Sequence, residues 1–522
     1  MIPLSVLTLL CARPSPASAA DCSAADTAAL QACLAGLGPG DTLTLEPGEF
    51  PLDNLTLDGL AGQEGAPIVI RGTLSMAGER LSHVIGQSSG SNVIDIISSS
   101  YVELRDFELS FVGGTTGNGV DLIKFGGMGE ASHHVVIDKL ELHDTGNVAI
   151  SSQAREIHDI VVTANHIHDI GGSCFYWGYY EDDNPLRWAH HSQIVANLLE
   201  RCPADDASDT HYGIQLKSGN HDNLIADNVM VDVGGTTRAG IIVYHSAPKP
   251  VGSELAGSNR IVGNLLVRPR NEGINAAAGA TIENNIVIDA GGIAIFLQPR
   301  SYGGSTYYGS LEVLHNTVVQ TVGGADAHGI RWTAADWALD DGARPSSFVG
   351  NLALVSNGAD GLRPPSAAAT VDANATDANA NGAPGTVMVD GAAVQSSIFG
   401  EPGYLVPSEG GALVDGVAMA TVALDFAGFE RDASPDIGAY EWTGVVPPPL
   451  DEDAFKPGEA AGDGDGDPGD GDGDGDPGDG DGDGDGDPGD GDGDADPTDT
   501  SADAGGEETA ETGGPGADEG GG

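Results

Sequence analysis

The chain has 522 residues, with 79 acidic against 21 basic side chains and a formal net charge of −58. Nucleic-acid binding is disfavoured, since it needs a basic patch, and an anionic membrane surface is disfavoured by the same repulsion. Gly, Asn, Asp, Ser and Thr abound beside Val and Ile, and aromatics make up only 5%, a composition of many short strands joined by turns.

The N-terminus reads "MIPLSVLTLLCARPSPASAADC". Its apolar run, Ile2 to Ala12, is too short to span a bilayer. The small residues Ala17 to Ala19 form a cleavage signal, so residues 1–19 are expected to be a secretory signal peptide, although no Lys or Arg precedes the run. Cys11 would leave with it. Cys22, Cys33, Cys174 and Cys202 remain, and an even count in a secreted protein favours two disulfides. Proximity along the chain pairs Cys22 with Cys33 and Cys174 with Cys202; four buried thiols are the alternative.

Next comes "AADTAALQACLAGL", with Leu30, Leu34 and Leu37 on one helical stripe. A solenoid needs a cap over its first coil, and this helix is the candidate. "PGDTLTLEPGEF" and "APIVIRG" then begin the coils.

A degenerate repeat follows: "VELRDFEL", "VVIDKLEL", "IVVTANHI", "SQIVANLL", "NLIADNVM", "NRIVGNLL", "ATIENNIV", "LEVLHNTV", "SSFVGNLA". Each reads as a short apolar strand with a polar residue near its end. The marked positions are Asp106, Asp138, Asn165, Asn197, Asn228, Asn264, Asn285, Asn316 and Asn351. Their spacing runs from 21 residues (Asn264 to Asn285) to 36 (Asn228 to Asn264). That is one coil of a parallel β-helix plus loops of varying length. A second strand follows each copy, among them "GVDLI", "NVAIS", "YGIQLK", "AGIIVYH", "EGINA" and "HGIRW". The Asn column reads as structural, because an amide can satisfy both N–H and C=O groups at a buried turn while stacking on the Asn of the next coil. His133, His134, His158, His166 and His168 show no spacing that suits tetrahedral zinc. They read as surface or turn residues.

The coils end near Gly444, giving a β-helix domain of residues 20–444. From about Val446 the chain becomes an Asp/Gly/Pro run, 445–522, in which no apolar residue recurs and like charges repel. The expectation is a disordered acidic tail. It lacks the Glu of an EF-hand loop and the apolar residue of the nonapeptide calcium repeat.

These features together resemble the right-handed parallel β-helix proteins of the pectate-lyase-like superfamily, with the Asn-bearing coils covering about Val93 to Asn357. The opening "GPGDTLTLEPGEF…GAPIVIRG" is similar to the first coils of polysaccharide lyase family six, the chondroitinase B and alginate lyase group. "DFAGFERDASPDIGAYEW", Asp425 to Trp442, resembles a C-terminal motif of secreted bacterial β-helix proteins that carries no known chemistry. The resemblance implies an all-β right-handed solenoid with an N-terminal capping helix, secreted and monomeric, with a polysaccharide as partner.

It also implies a site. In these lyases a Lys takes the proton α to the uronate carboxylate, and an Arg about one coil on assists the leaving oxygen or the carboxylate. "LKSGN" supplies Lys217 and "TTRAG" supplies Arg238; His211 is an alternative base. A neighbouring cation helps a lysine act as base, and a guanidinium can hold a carboxylate. Lys217 as an ordinary solvated strand-end residue is the competing account. The family places two calcium-binding acids just before its lysine, where Thr210 and Tyr212 stand here. Asp205, Asp206 and Asp209, or Glu181, Asp182 and Asp183, could supply hard oxygen ligands to calcium instead.

Alternation is expected to turn Gln215, Lys217, Ile242 and Tyr244 to solvent, with Phe175, Trp177 and Tyr179 on the same side. Flat rings there would stack on sugar faces, making Trp177, Tyr179, Gln215 and Tyr244 substrate-binding candidates. A non-catalytic display rod and a glycoside hydrolase, which needs paired carboxylates, are the alternatives to a lyase. Asp121 is the one outward carboxylate that stands out for the hydrolase.

Overall fold

The computed structural model describes residues 21–450, except 117–118, 128, 153–154, 180–184, 206–209, 218, 245–258, 278, 299–300, 303–304, 307–310, 334–345, 365–368 and 419–421. Residues 1–20, with the expected signal peptide, and the Asp/Gly tail lie outside the described residues. The packed chain runs past Gly444, since Pro447 and Leu450 are still buried.

Short alternating runs form strands, and these stack in parallel, coil on coil, into sheets of 15, 13 and 11 strands. One coil gives Gln193–Val195 to the first sheet, Leu198–Glu200 to the second and Ile214–Leu216 to the third. The next coil gives Leu224–Ala226, Val229–Val231 and Ile241–Val243 in the same order. Each strand pairs in parallel with its counterpart one coil on. The architecture is a parallel β-helix, with an apolar core of Ile, Leu, Val and Phe running through its centre.

Each repeat copy is therefore two strands rather than one. In "SQIVANLL" the chain leaves the first sheet after Val195 and joins the second at Leu198, with Ala196 and Asn197 forming the corner. Ala196 has φ 55° and Ala164 φ 54°, a left-handed conformation that lets the chain bend sharply. Asn197 Oδ1 accepts from both the backbone N and Nδ2 of Asn165, at 3.0 and 2.9 Å. The same pair of bonds links Asn197 to Asn228, Asn228 to Asn264 and Asn264 to Asn285. It continues through Asn316, Asn351 and Asn374. Each amide also donates to a main-chain carbonyl across the corner, as Asn228 does to Ile194.

Two marked residues do not belong to this column. Register sets Asp138 beside Thr163, two residues short of Asn165. Asp106, at φ 62°, occupies the left-handed position before the corner. Buried Phe107 and Leu140 fill the corner in those coils, and the Leu140 N–H starts the ladder by donating to Asn165 Oδ1 at 2.8 Å.

The helix Thr27–Leu34 sits at the N-terminal end, its first turn capped by the Asp26 carboxylate, which accepts from Ala29 N at 2.8 Å. Leu30 is buried, and Leu34 and Leu37 pack on the core. Disulfides join Cys22 to Cys33 and Cys174 to Cys202. Toward the other end, the segment Asp425–Trp442 lies against the outside of the asparagine corner. Arg431 is wholly enclosed there, 3.2 Å from Glu441 Oε2, and donates to Asn284 Oδ1 and to the carbonyls of Gly438 and Ala439. Gly438 N in turn donates to Gly350 O. The motif is thus a clasp on the solenoid. No helix among the described residues is long and apolar enough to cross a membrane.

Asn228→Ala takes the acceptor from two N–H groups of Asn197 and the donor from Ile194 O, all buried. The expected loss is about 3 kcal/mol of stability, read as a lower urea midpoint at unchanged slope.

Candidate functional site

Six strands of the third sheet share one frame: Phe-Tyr-Trp at 175–177, Ile-Gln-Leu at 214–216, Ile-Ile-Val at 241–243, Ile-Asn-Ala at 274–276, Ile-Phe-Leu at 295–297 and Ile-Arg-Trp at 330–332. The flanking residues are inside the core. The middle residues stack outward in register: Tyr176, Gln215, Ile242, Asn275, Phe296 and Arg331. The next strand adds Arg363 to this row.

Lys217 follows the strand Ile214–Leu216 and is only 6% exposed. Its Nζ lies 4.9 Å from the ring centre of Tyr176 and 4.6 Å from that of Tyr244. The Tyr244 hydroxyl meets that of Tyr212 at 2.8 Å. Tyr212, Ala239 and Ile242 form a small apolar cluster with Tyr244 on the outer side of the sheet. Arg238 is at the other end, 5.9 Å from the Tyr212 ring centre, with Nη1 donating to Thr237 O and Oγ1.

The lysine and tyrosines are thus brought together, whereas Lys217 and Arg238 stand at opposite ends of one strand pair. Half-buried His211 is at the Arg238 end. Gln215 is outward on the sheet but covered, at 2% exposure. Trp177 is corrected outright: it is paired with Leu216 and wholly buried in the core. Phe175 goes inside with it. The parity expected from the sequence was one residue out, and Tyr176 takes the outward place. Tyr179 is exposed, with the Arg187 guanidinium 4.3 Å over its ring. Asp205 is exposed; Asp206, Asp209 and 181–183 lie outside the described residues. Asp121 is fully buried and bound by Asn147, Ser151 and Lys124, which makes it structural. The sequence reading missed Tyr176 and Tyr212. The apolar-x-apolar frame shared by the six strands was the signal for the first.

Farther along the same face is a depression of about 370 Å³ lined by Arg331, Trp332, Thr333, Arg363, Pro364 and Asn381. Arg363 Nε is 3.2 Å from Asp360, and Arg331 lies 5.8 Å from the Phe296 ring centre. Four coils separate Arg331 from Lys217, roughly 20 Å at ordinary strand spacing, and Arg363 is one coil farther.

Of the five histidines singled out from the sequence, His133, His134 and His158 lie on strands of the first sheet and His166 and His168 on the second, all part-exposed. On the outer face of the second sheet His166 and His168, with His83 and His143, stand among carboxylates. His143 is pushed up to about 9: burial opposes its charge, but hydrogen bonds to Glu108 and Asp144 outweigh that. Glu141 is held at about 2 by a hydrogen bond from His168, against its burial and with help from Arg80.

No family model matches the chain, and no curated protein matches it. Among solved structures, the chain is similar to the PL6 family alginate lyase AlyGC, at 16% identity over 71% of this chain and 53% of that one, TM-score 0.48. It spans about half the length of that enzyme. It is also similar to pectate lyase Pel9A, at 12% identity over 79% of this chain and 90% of that one, TM-score 0.45. The alginate lyase from Paenibacillus sp. str. FPU-7 matches at 18% identity over 60% of this chain and 96% of that one, TM-score 0.41.

The two neighbouring aromatics should behave oppositely. Trp177→Ala empties the core and is expected to cost about 3–5 kcal/mol, while Tyr176→Ala, on the outer face, should cost under about 1 kcal/mol. Denaturant unfolding of the two variants measures the difference.

Proposed function

We propose that this chain is a secreted, carbohydrate-active β-helix protein that binds a uronate polymer along its third sheet and cleaves it by β-elimination. The observation that carries the reading is Lys217, drawn out of water between two tyrosine rings on a face that also presents Arg331 and Arg363. Rings suit the apolar faces of sugars, and separated cations in an otherwise acidic protein suit the carboxylates of a polyanion. The two disulfides and the leader sequence support an oxidising, extracellular setting.

In this reading neutral Lys217 takes the proton α to the carboxylate. The double bond forms as the bond to the leaving oxygen breaks. That oxygen takes a proton from the Tyr244 hydroxyl, which Tyr212 can resupply through their shared hydrogen bond. The step requires the free amine of Lys217. Arg238, at the far end of the strand pair, would hold the carboxylate of a neighbouring sugar. Calcium is assigned no step: Asp205 is exposed, and among the described residues no group of three metal-ligating side chains includes it.

A non-catalytic, carbohydrate-binding display rod is the second reading. It is favoured by the same two tyrosine faces, since a ring face stabilises the ammonium form. Ultraviolet absorbance of unsaturated uronates, with the full chain on alginate, pectate, chondroitin and dermatan, with and without calcium, separates the two. For a lyase, Lys217→Ala lowers the rate at least about 100-fold, and Lys217→Arg fails equally because arginine stays protonated. Absence of product on every polymer, with polymer binding kept by Lys217→Arg, makes the protein a binding rod.

A further inference from the structure

The outer face of the second sheet carries a lattice that has no part in the reading above. Register places Glu49, His83, Glu108, Glu141 and His166 in one column. Ser110, His143, His168 and Glu200 fill the column two residues on. Histidines and carboxylates separated by dozens of residues in the chain thereby become neighbours.

Two groups stand out. In one, His143 Nε2 and His83 Nε2 both converge on Glu108 Oε1, at 2.8 and 3.4 Å; His83 Nε2 also contacts Ser110 Oγ at 2.7 Å. In the other, His168 Nε2 is 3.4 Å from Glu141 Oε1, and the His166 ring centre lies 4.2 Å from that of His168. Glu200 Oε2 is 2.6 Å from His166 Nε2. In both groups the ligand atoms of two histidines and one glutamate lie within 4.8 Å of one another. Two ligands of one tetrahedral zinc stand about 3.3 Å apart, so small side-chain rotations would close either set.

In each group the second nitrogen of one histidine is arranged as metal sites arrange it. His143 Nδ1 donates to Asp144 Oδ2 at 2.8 Å, and His168 Nδ1 donates to Asp169 Oδ2 at 2.9 Å. Asp169 is held in turn by both Nε and Nη2 of Arg201, at 2.7 and 2.8 Å. A carboxylate on Nδ1 holds a proton there, so a metal bound at Nε2 would displace only the Nε2 proton. Arg80 engages only Oε2 of Glu141, leaving Oε1 to the site. The two groups adjoin, since the His143 and His168 rings stack at 5.1 Å with 6° between their planes.

We propose that this face binds two borderline divalent cations of the zinc class, one through His83, Glu108 and His143 and one through Glu141, His166 and His168, with Glu200 able to complete the second. Two nitrogens and a carboxylate suit zinc or cobalt over calcium or magnesium.

Equilibrium dialysis of the full chain against Zn²⁺, with Mg²⁺ in large excess to saturate oxygen-only sites such as the Asp run, tests this. The wild-type chain should retain two tight zinc ions. His143→Gln and His168→Gln should each lose one, and the double variant both, with far-UV circular dichroism unchanged. Loading with Co²⁺ should give a visible absorption band that the double variant lacks. If His168→Gln loses the native dichroism, His166→Gln removes a ligand from the same site and takes its place. Zinc uptake equal in wild type and double variant, or abolished by magnesium, overturns the proposal and leaves the lattice a set of ion pairs.

Discussion

Everything in this solenoid hangs on how a chain turns a buried corner. At each passage from the first sheet to the second, peptide groups leave one ladder before they can join the next, inside a wall that water does not reach. The asparagine amide replaces the missing partners, accepting from the coil on one side and donating to a carbonyl across the turn. Because consecutive amides also bond one another, satisfying one corner aligns the next. The strands on either side are then fixed in register, and so are the outward columns where chemistry can sit.

The clasp shows the same constraint from outside. Asn284, His315 and Gly350 hold the left-handed position just before the corner asparagine. The segment Asp425–Trp442 covers them with Arg431 at its centre. A buried guanidinium is costly unless all its surroundings accept hydrogen bonds. Here Nη1 and Nη2 are satisfied by Glu441, Asn284 and two carbonyls, while the buried Nε has no acceptor among the described residues. The motif "DIGAYEW" is explained by this docking and needs no chemistry of its own.

The solenoid, its asparagine column and its capping helix were legible because each leaves a periodic mark on the sequence. The number of strands per coil was not, since "IVVTANHI" gives no sign that Asn165 breaks it into two. Nor was the parity of "FYW", where either phase offers large apolar residues to the core and only the neighbouring coils decide that Trp177 goes in. Lys217 and Tyr244 were found beside each other because they end adjacent strands of like pattern. The histidine–carboxylate clusters were not legible for a different reason. Spacing along the chain says nothing of residues that a solenoid makes neighbours one coil apart. His83, Glu108 and His143 are adjacent only in that second direction.

Coil length varies from 21 to 36 residues between successive asparagines, yet each asparagine-bearing corner spends the same two residues between its strands, as at Gly263–Asn264. All the variation is therefore expelled to the other edges of the triangle. The molecule is built like a bound book, with a stitched spine that tolerates no slack and a fore-edge where pages can differ in width. New loops, and with them new specificities, can be written on that open side without disturbing a single bond in the binding.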